Sequence, residues 1–198
     1  MAVAVAKGKL SMFSLSSRHE KEILLSPDQM IVTKTDLKGQ ITYANRTFME
    51  IADFQEHEVL NKPHNLIRHP DMPRGVFRLM WKTLQKRQEF FGVVKNYTSN
   101  HKEYYWVLAN ITPDFNNAGQ LAGFYSVRRP ASRAAIAALE PIYQQMRQIE
   151  AKLSKVEGPD ASVTWLLEQV KMSGAINYEA FVISLNKDIV KQAKNTWN

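Results

Sequence analysis

The residues with the clearest capacity for chemistry lie between Lys62 and Trp81, in the sequence K-P-H-N-L-I-R-H-P-D-M-P-R-G-V-F-R-L-M-W. Its three prolines fix φ and lack a backbone N–H, which excludes a continuous helix or a central strand. We expect a stiff loop that presents Arg68, His69 and Asp71. Beside aromatic side chains, such a loop can bind a planar ligand with phosphate or polar ring edges. The alternative is a surface loop whose charges are solvated.

A helix is predicted directly after this loop. Pro73 is suited to a helix start, and the apolar residues that follow recur at helical spacing: Val76, Phe77, Met80, Trp81 and Leu84. Phe77 and Trp81 lie one turn apart, so they can wall an aromatic ring. The alternative for both is an ordinary place in the core.

The composition is that of a globular protein. The 198 residues are 44% hydrophobic and 10% aromatic, which is enough to bury a core. There is no cysteine, so disulfides, thiolate metal sites and a cysteinyl–flavin photoadduct are excluded. No apolar run approaches the roughly 20 residues that span a bilayer, and no signal peptide is recognisable. The net charge of +7 is spread along the chain without a nucleic-acid-binding motif, so we expect no nucleic-acid partner.

The elements around the loop predict an α+β fold. Residues 1–22 are expected to form a partly helical N-terminal arm. Five strands are predicted, the first from Leu24, Leu25 and 30–35, then 40–44, 90–96, 103–112 and 121–128. Gly39 provides the first hairpin turn. Short helices follow Asn45, a plausible N-cap, and span 55–60. This order predicts one antiparallel sheet with helices over one face, in residues 23–130.

Several motifs in this order resemble the sensory PAS domain of bacterial aerotaxis receptors. They are T-D-L-K-G-Q-I-T-Y-A-N-R-T-F, the K-P-H-N-L-I-R-H-P-D-M-P block with M-W six residues later, G-V-V-K-N, Y-W-V and L-E-P-I-Y. The resemblance covers residues 30–146. It implies a PAS fold and a non-covalently bound FAD whose redox state is sensed as a proxy for oxygen or respiratory energy.

The resemblance also implies which residues contact the flavin. The matching positions are Asn45, Arg68, His69, Asp71, Phe77, Trp81 and Asn96, and Phe90 stands where the receptors carry a tryptophan. From residue chemistry alone, Arg68 offers a planar donor fork, and Asn96 can both donate to and accept from a heterocycle edge. Alternatives remain: Asn45 as a helix cap only, and His69 as a structural residue or a haem ligand. No metal site and no catalytic residues are predicted.

Residues 131–198 are predicted to form a helical extension. Its first helix carries a heptad-like seam of Ala135, Leu139, Ile142, Met146, Ile149, Leu153 and Val156, which can pack on its own sheet or pair with a second copy. Pro141 predicts a kink, or a helix that starts near Glu140. Gly158-Pro159 should break the helix, with a second helix from Asp160. Asn177 should cap a last helix with one apolar face: Tyr178, Phe181, Val182, Leu185, Ile189 and Trp197.

The sequence thus predicts a cytoplasmic, FAD-binding PAS redox sensor of the aerotaxis or chemotaxis type. Neither the membrane helices nor the methyl-accepting domain of the receptors is recognisable, so we expect no membrane insertion. The signal is expected to pass through the C-terminal helices of a homodimer to a chemoreceptor, kinase or cyclase. We expect no enzyme activity, because no nucleophile–base arrangement is present. The alternatives are a cofactor-free PAS adaptor and a haem or small-metabolite sensor.

Overall fold

The computed structural model describes residues 20–187. Within that range the chain forms six strands: β1 Lys21–Glu22, β2 Ile31–Asp36, β3 Ile41–Ala44, β4 Phe90–Tyr97, β5 Glu103–Phe115 and β6 Leu121–Pro130. The α-helices of the same range are α1 Arg46–Ala52, α2 Glu56–Val59, α3 Arg74–Gln85, α4 Arg133–Ala151, α5 Glu157–Met172 and α6 Tyr178–Leu185, with a 3-10 turn at His64–Ile67. The predicted α+β class is confirmed.

The strands form one curled sheet. The order across it is β4-β5-β6-β2-β3, and all these neighbours are antiparallel. The five predicted strands are therefore present, and apart from Leu24 and Leu25 their ends differ from the prediction by at most three residues. Leu24 and Leu25 lie outside the strands, so their inclusion in the first strand was wrong. The strand β1, which pairs in parallel with Glu103 and Tyr104, was assigned to the N-terminal arm, because two residues are too few for a periodic signal.

Tight turns set the register of the first hairpin. Gly39 has a φ of 79°, which favours glycine, and the carboxylate of Asp36 accepts hydrogen bonds from the backbone N–H groups of Lys38 and Gln40. A second close approach occurs at Gly123, where a Cβ atom would lie 2.0 Å from the carbonyl oxygen of Thr35. Side chains cannot be added there without moving β2 away from β6.

The helices α1–α3 cover the face of the sheet that we call the inner face. Alternation along the strands places Asn96 of β4, Ala109 of β5 and Ser126 of β6 on this face. The core between the helices and this face includes Phe48 of α1 and Val76 of α3, both at most 1% exposed. This burial holds α3 over the sheet.

The C-terminal helices pack on the same domain. Tyr143 of α4 donates a hydrogen bond of 2.7 Å to the carbonyl oxygen of Val93 in the edge strand β4. Its ring stacks at 6.5 Å on Trp106, whose side chain alternates to the outer face of the sheet. Of the two predicted alternatives for the first C-terminal helix, packing on its own sheet is therefore present. The division into domains at residues 22 and 130 stays a prediction.

Three details of the extension differ from the sequence prediction. The helix α4 begins at Arg133 and continues through Pro141, so a start near Glu140 was wrong. Leu153 and Val156 lie beyond its end and are exposed, so the predicted seam stops at Ile149. Gly158-Pro159 belongs to the first turn of α5, which starts three residues before Asp160. The side chain of Asn177 caps α6 as predicted, while Ile189 and Trp197 lie outside the described residues.

Candidate functional site

A cavity of about 280 Å³ lies between α3 and the inner face of the sheet. Its volume is close to the lower end of the roughly 300–1,000 Å³ typical of small-molecule sites. It is large enough for a flat ring system. The residues around it come from β2, the turn at Gly39, the central loop, α3 and strands β4–β6.

Aromatic side chains of α3 form one wall of the cavity. The ring of Trp81 meets Phe124 of β6 edge-on at 5.4 Å, and the turn at Gly39 packs against the far edge of the indole. One turn before Trp81, the ring of Phe77 lies 4.4 Å from the guanidinium of Arg68. The aromatic wall is therefore packed against Phe124 and the Gly39 turn at one end and against Arg68 at the other.

Arg68 joins the central loop to the sheet. Its backbone forms a β-bridge with Asn96 of β4, and its side chain donates to the carbonyl oxygen of Met72 at 2.9 Å. Burial lowers the pKa of Arg68 from its usual value, although the nearby carboxylate of Glu150 partly offsets this. Even so, an arginine keeps its charge at neutral pH.

Two buried polar atoms at the cavity make no hydrogen bond of good geometry within the described part of the chain: the amide Nδ2 of Asn96 and the hydroxyl Oγ of Ser126. The amide of Asn96 also lies beside the hydroxyl of its cross-strand neighbour Tyr105, and this contact acts to lower the pKa of Tyr105. Buried polar groups are nearly always hydrogen-bonded, so these atoms are suited to a ligand that supplies the missing partners. A flavin ring has a flat apolar body and a polar edge of carbonyl and nitrogen atoms, and these residues fit it.

A cluster of three buried polar side chains lies on the side of the cavity formed by β2 and β6. Arg128 of β6 donates to Thr33 Oγ1 at 3.0 Å and to His64 Nε2 at 2.8 Å. Thr33 and His64 also hydrogen-bond each other at 3.2 Å. Burial, followed by the charge of Arg128, lowers the pKa of His64 well below its usual value. The imidazole is therefore neutral at pH 7.

Five of the eight predicted site residues line the cavity. They lie on three elements that the fold brings together, the central loop, α3 and β4. The five residues are Arg68, Phe77, Trp81, Phe90 and Asn96. Phe90 lies at the start of β4, where its ring stacks on Tyr178 of α6 at 5.8 Å. The cavity therefore connects, through one aromatic contact, to the helical extension.

Asn45 does not line the cavity. Its Oδ1 accepts from the backbone N–H groups of Phe48 and Val32, both at 3.0 Å, and its Nδ2 donates to the carbonyl oxygen of Met30. Asn45 therefore caps α1 and ties it to β2. The N-cap predicted at Asn45 is confirmed.

His69 points away from the cavity and is 1% exposed. Its Nδ1 accepts from the backbone N–H of Asp71 at 3.0 Å, so the ring proton sits on Nε2, which donates to Glu20 at 2.8 Å. Burial lowers the pKa of His69 even though Glu20 and Asp71 favour its charged form. These contacts are those of a structural histidine.

Asp71 is also outside the cavity and forms ion pairs on the other side of β4. Its carboxylate contacts Lys95 at 2.9 Å and Arg147 of α4 at 2.8 Å. Burial acts to raise the pKa of Asp71, but the hydrogen bond and charge of Lys95, with His69 and Arg147, outweigh it and lower the pKa. Asp71 is therefore ionised and bridges the sheet to the C-terminal helix.

Sequence reasoning missed Arg128, Thr33 and Ser126 as cavity residues. The alternation of Phe124, Ser126 and Arg128 along β6 was a usable signal, because strand residues two apart share one face. His64 was considered only as a loop residue. Within residues 20–187, no group of three His, Cys, Asp or Glu side chains is placed to hold a metal ion. In the same range, no helix is both long and apolar enough to cross a bilayer.

The arrangement of the sheet, the helices and the cavity corresponds to a known fold family. The profile of the family described as PAS fold matches residues 41–128, which run from β3 through the cavity to the inner face of β6. This part of the chain therefore has the PAS fold, as the sequence motifs predicted.

Among the curated relatives, the aerotaxis receptor of Escherichia coli strain K12 is 40% identical over 122 residues, which are 62% of this chain and 24% of that protein. Nitrogen fixation regulatory proteins of Klebsiella pneumoniae and Klebsiella oxytoca are 31% and 30% identical over 101 residues, 51% of this chain and 20% of each protein. The chain thus spans a quarter or less of the curated relatives it matches.

Solved structures show a looser likeness. The PAS domain of a protein from Colwellia psychrerythraea is 14% identical with a TM-score of 0.47, covering 52% of this chain and 87% of that one. A light-oxygen-voltage domain studied with a flavin analogue is 16% identical with a TM-score of 0.49, and the match covers 59% of this chain and 86% of that one. Similarity at this level carries no information on ligands.

Proposed function

We propose that this chain is a sensory protein whose PAS cavity binds FAD non-covalently and reports its redox state to a signalling partner. The observation that carries the proposal is the cavity itself, which is lined by the aromatic rings of Trp81 and Phe77 and by two buried polar atoms without a hydrogen bond of good geometry, Asn96 Nδ2 and Ser126 Oγ. The resemblance of the surrounding motifs to aerotaxis receptors supports FAD among flat heterocycles.

The roles of the residues follow from their positions. A bound flavin supplies reversible electron uptake that changes the charge and hydrogen-bonding pattern of its ring. Trp81 and Phe77 exclude water from the ring and orient it, Arg68 holds the loop against β4, and the amide of Asn96 meets a polar edge. Because Asn96 both donates and accepts, it can respond to a change of partner by turning its amide.

A change at Asn96 has a short route to the C-terminal helices. Its neighbour Lys95 points to the opposite face of β4, where Asp71 joins it to Arg147 of α4. The carbonyl oxygen of Val93, in the same strand, accepts from Tyr143 of α4. A displacement of β4 therefore acts directly on α4, and we propose α4–α6 as the output of the sensor.

The remaining parts of the proposal concern its cellular setting. We propose a cytoplasmic homodimer that passes its signal to a chemoreceptor, kinase or cyclase and has no catalytic activity of its own. The named functions of the relatives, aerotaxis and the regulation of nitrogen fixation, make oxygen or respiratory redox state the proposed stimulus.

The test is the absorption spectrum of the freshly purified protein, with any pigment released by heat and identified. A two-banded yellow flavin spectrum is expected, and Asn96→Asp and Arg68→Ala should weaken FAD retention. The matched controls are Asn110→Asp, on the outer face of β5, and Arg78→Ala, on the side of α3 that faces Asp160 of α5; both should retain FAD.

Two other spectra would contradict the proposal. A sharp Soret band would identify a haem sensor. A colourless protein that takes up no FAD on reconstitution would favour the cofactor-free adaptor. Sensing, as opposed to passive binding, requires a further result: the yellow bands should bleach under reducing anaerobic conditions and return in air, with a change in the proteolysis of α4.

A further inference from the structure

The cavity is lined by positive charge without a balancing acid. Its lining includes the cationic side chains of Lys38, Arg68 and Arg128 and the neutral imidazole of His64, but no Asp or Glu of the described residues. Among these cations Arg128 is the most buried, at 5% exposure. Arginine is rarely buried without a carboxylate partner, because the desolvation of its charge is costly.

Arg128 forms no ion pair with any acidic residue in the range 20–187. Its guanidinium instead donates to two neutral groups, Thr33 Oγ1 and His64 Nε2. Burial lowers the pKa of Arg128 to about 10, so the side chain still carries its charge at pH 7. His64 offers a lone pair and no negative charge. The positive charge of Arg128 is therefore not compensated by any acidic side chain of residues 20–187.

Thr33 and His64 position Arg128 but do not depend on it for their hydrogen bonding. Thr33 and His64 already hydrogen-bond each other at 3.2 Å, so neither would lose its last partner if Arg128 were absent. Guanidinium has five N–H donors, and these two bonds use only part of them. The remaining capacity is available on the cavity side.

We propose that Arg128, held by Thr33 and His64, is a subsite for the negatively charged edge of a planar ligand in the cavity. The inference rests on the proposed function where the ligand is FAD. For FAD, it states that Arg128 faces the part of the ring that gains negative charge on two-electron reduction. The subsite thereby favours the reduced over the oxidised cofactor and sets the potential at which the sensor switches.

The first experiment uses the ligand-free protein and does not depend on FAD. Arg128→Met replaces the uncompensated charge by an apolar side chain of similar length, and the urea midpoint is compared with that of the wild type. We expect the midpoint to stay equal or rise, because a buried unpaired charge is removed. The matched control is Arg129→Met, the next residue of β6 on the outer face, which should leave the midpoint unchanged.

The second experiment measures the midpoint potential of bound FAD at pH 7 by titration with a chemical reductant and redox mediators. If Arg128 favours the reduced cofactor tenfold, Arg128→Met lowers the potential by about 30 mV for a two-electron couple. Arg128→Lys keeps the charge and should retain most of the wild-type value. Arg129→Met should not shift the potential.

The outcomes separate the two proposals. If Arg128→Met lowers the urea midpoint of the ligand-free protein, or leaves the potential of bound FAD unchanged, Arg128 is not a ligand subsite and the proposal is wrong. If the wild type takes up no FAD, the proposed function fails. The ligand-free experiment then still decides whether Arg128 is an uncompensated charge, since a destabilised variant overturns the subsite and an unchanged or stabilised one supports it.

Discussion

The carboxylate of Glu150 in α4 caps the first turn of the cavity helix α3 by accepting the backbone N–H of Gly75 at 2.8 Å. It also accepts the N–H and the Nε of Arg74 and the hydroxyl of Ser162 in α5. A negative charge at a helix N-terminus is favourable, and Pro73 offers no side-chain cap. One buried side chain of the extension therefore connects all three helices and sets where α3 begins.

Replacing Glu150 should destabilise the whole domain. Glu150→Ala leaves two helix N–H groups without their acceptor and removes the charged partner of Arg74, so we expect a loss of about 3 kcal/mol in the free energy of unfolding. Urea unfolding followed by far-UV circular dichroism measures it. Glu140→Ala, an exposed position of the same helix, is the control and should change stability by less than about 0.5 kcal/mol. If both variants lower the free energy of unfolding by the same amount, the Glu150 cap does not stabilise the domain.

Gly75 should not tolerate alanine. A Cβ atom there would lie 2.2 Å from Ser162 Oγ and 3.1 Å from the carbonyl oxygen of Pro159, both in α5, which forces α5 away from α3. Alanine is favoured over glycine inside a helix by about 1 kcal/mol, but overpacking typically costs 1–3 kcal/mol, and here the steric term wins. We expect Gly75→Ala to lower the urea midpoint.

A double-mutant cycle identifies the cause of that loss. Ser162→Ala removes the atom of closest approach, so Gly75→Ala/Ser162→Ala should lose less stability than the sum of the single variants. Strict additivity in urea unfolding would contradict the steric explanation. Because α3 carries Phe77 and Trp81, the same variants should also alter ligand retention in the cavity.

Much of the fold could be predicted because its signals are local. Alternating strands, the turn at Gly39 and the caps Asn45 and Asn177 each involve residues a few positions apart. The site residues were harder to predict, because the side chains of consecutive residues in an extended loop point in different directions. Arg68 and His69 are consecutive, and Arg68 has an extended backbone, so the first side chain reaches the cavity while the second turns toward Glu20.

The helical extension shows a second limit of sequence patterns. The predicted seam of α4 counted only apolar residues and therefore included Ile142 and Ile149. The buried stripe shares Ala135, Leu139 and Met146 with it but also includes two polar-tipped side chains, Tyr143 and Glu150. Their partners are the edge of β4 and the start of α3, which lie at least 50 positions away in the sequence. Such long-range partners have no local signal.

The pair Lys95–Asp71 should contribute more to stability than an exposed ion pair. The side chain of Lys95 is 7% exposed, so Asp71→Asn leaves a buried ammonium without its charged partner. We expect a loss of about 1–3 kcal/mol in the free energy of unfolding, with recovery of most of it in Asp71→Asn/Lys95→Met. The control is Asp114→Asn, which breaks the exposed pair with Lys34 and should cost at most about 1 kcal/mol.

The ion pair also tests the output route, because Asp71 holds Arg147 of α4. Asp71→Asn should speed amide hydrogen exchange in α4 more than in α1, which has no contact with this carboxylate. A uniform increase over the two helices would show that the variant acts only through global stability.

Acid should destabilise the ligand-free protein already below about pH 6.5, through His64. Burial, reinforced by Arg128, lowers the pKa of His64 in the folded state, whereas the unfolded chain binds the proton near pH 6.5. The unfolded state therefore binds more protons as the pH falls, and stability falls with it, by up to about 1.4 kcal/mol per pH unit for one group. His69, whose pKa burial also lowers, acts in the same direction.

The measurement is the urea midpoint between pH 7.5 and 5, above the range in which Asp71 takes up its proton. His64→Gln should show a smaller decrease over this interval than the wild type, with the remaining decrease due to His69. His57→Gln, at an exposed position of α2, should follow the wild-type curve. If His64→Gln also follows the wild-type curve, the prediction is wrong, and the folded state does not hold the imidazole of His64 neutral beside Arg128.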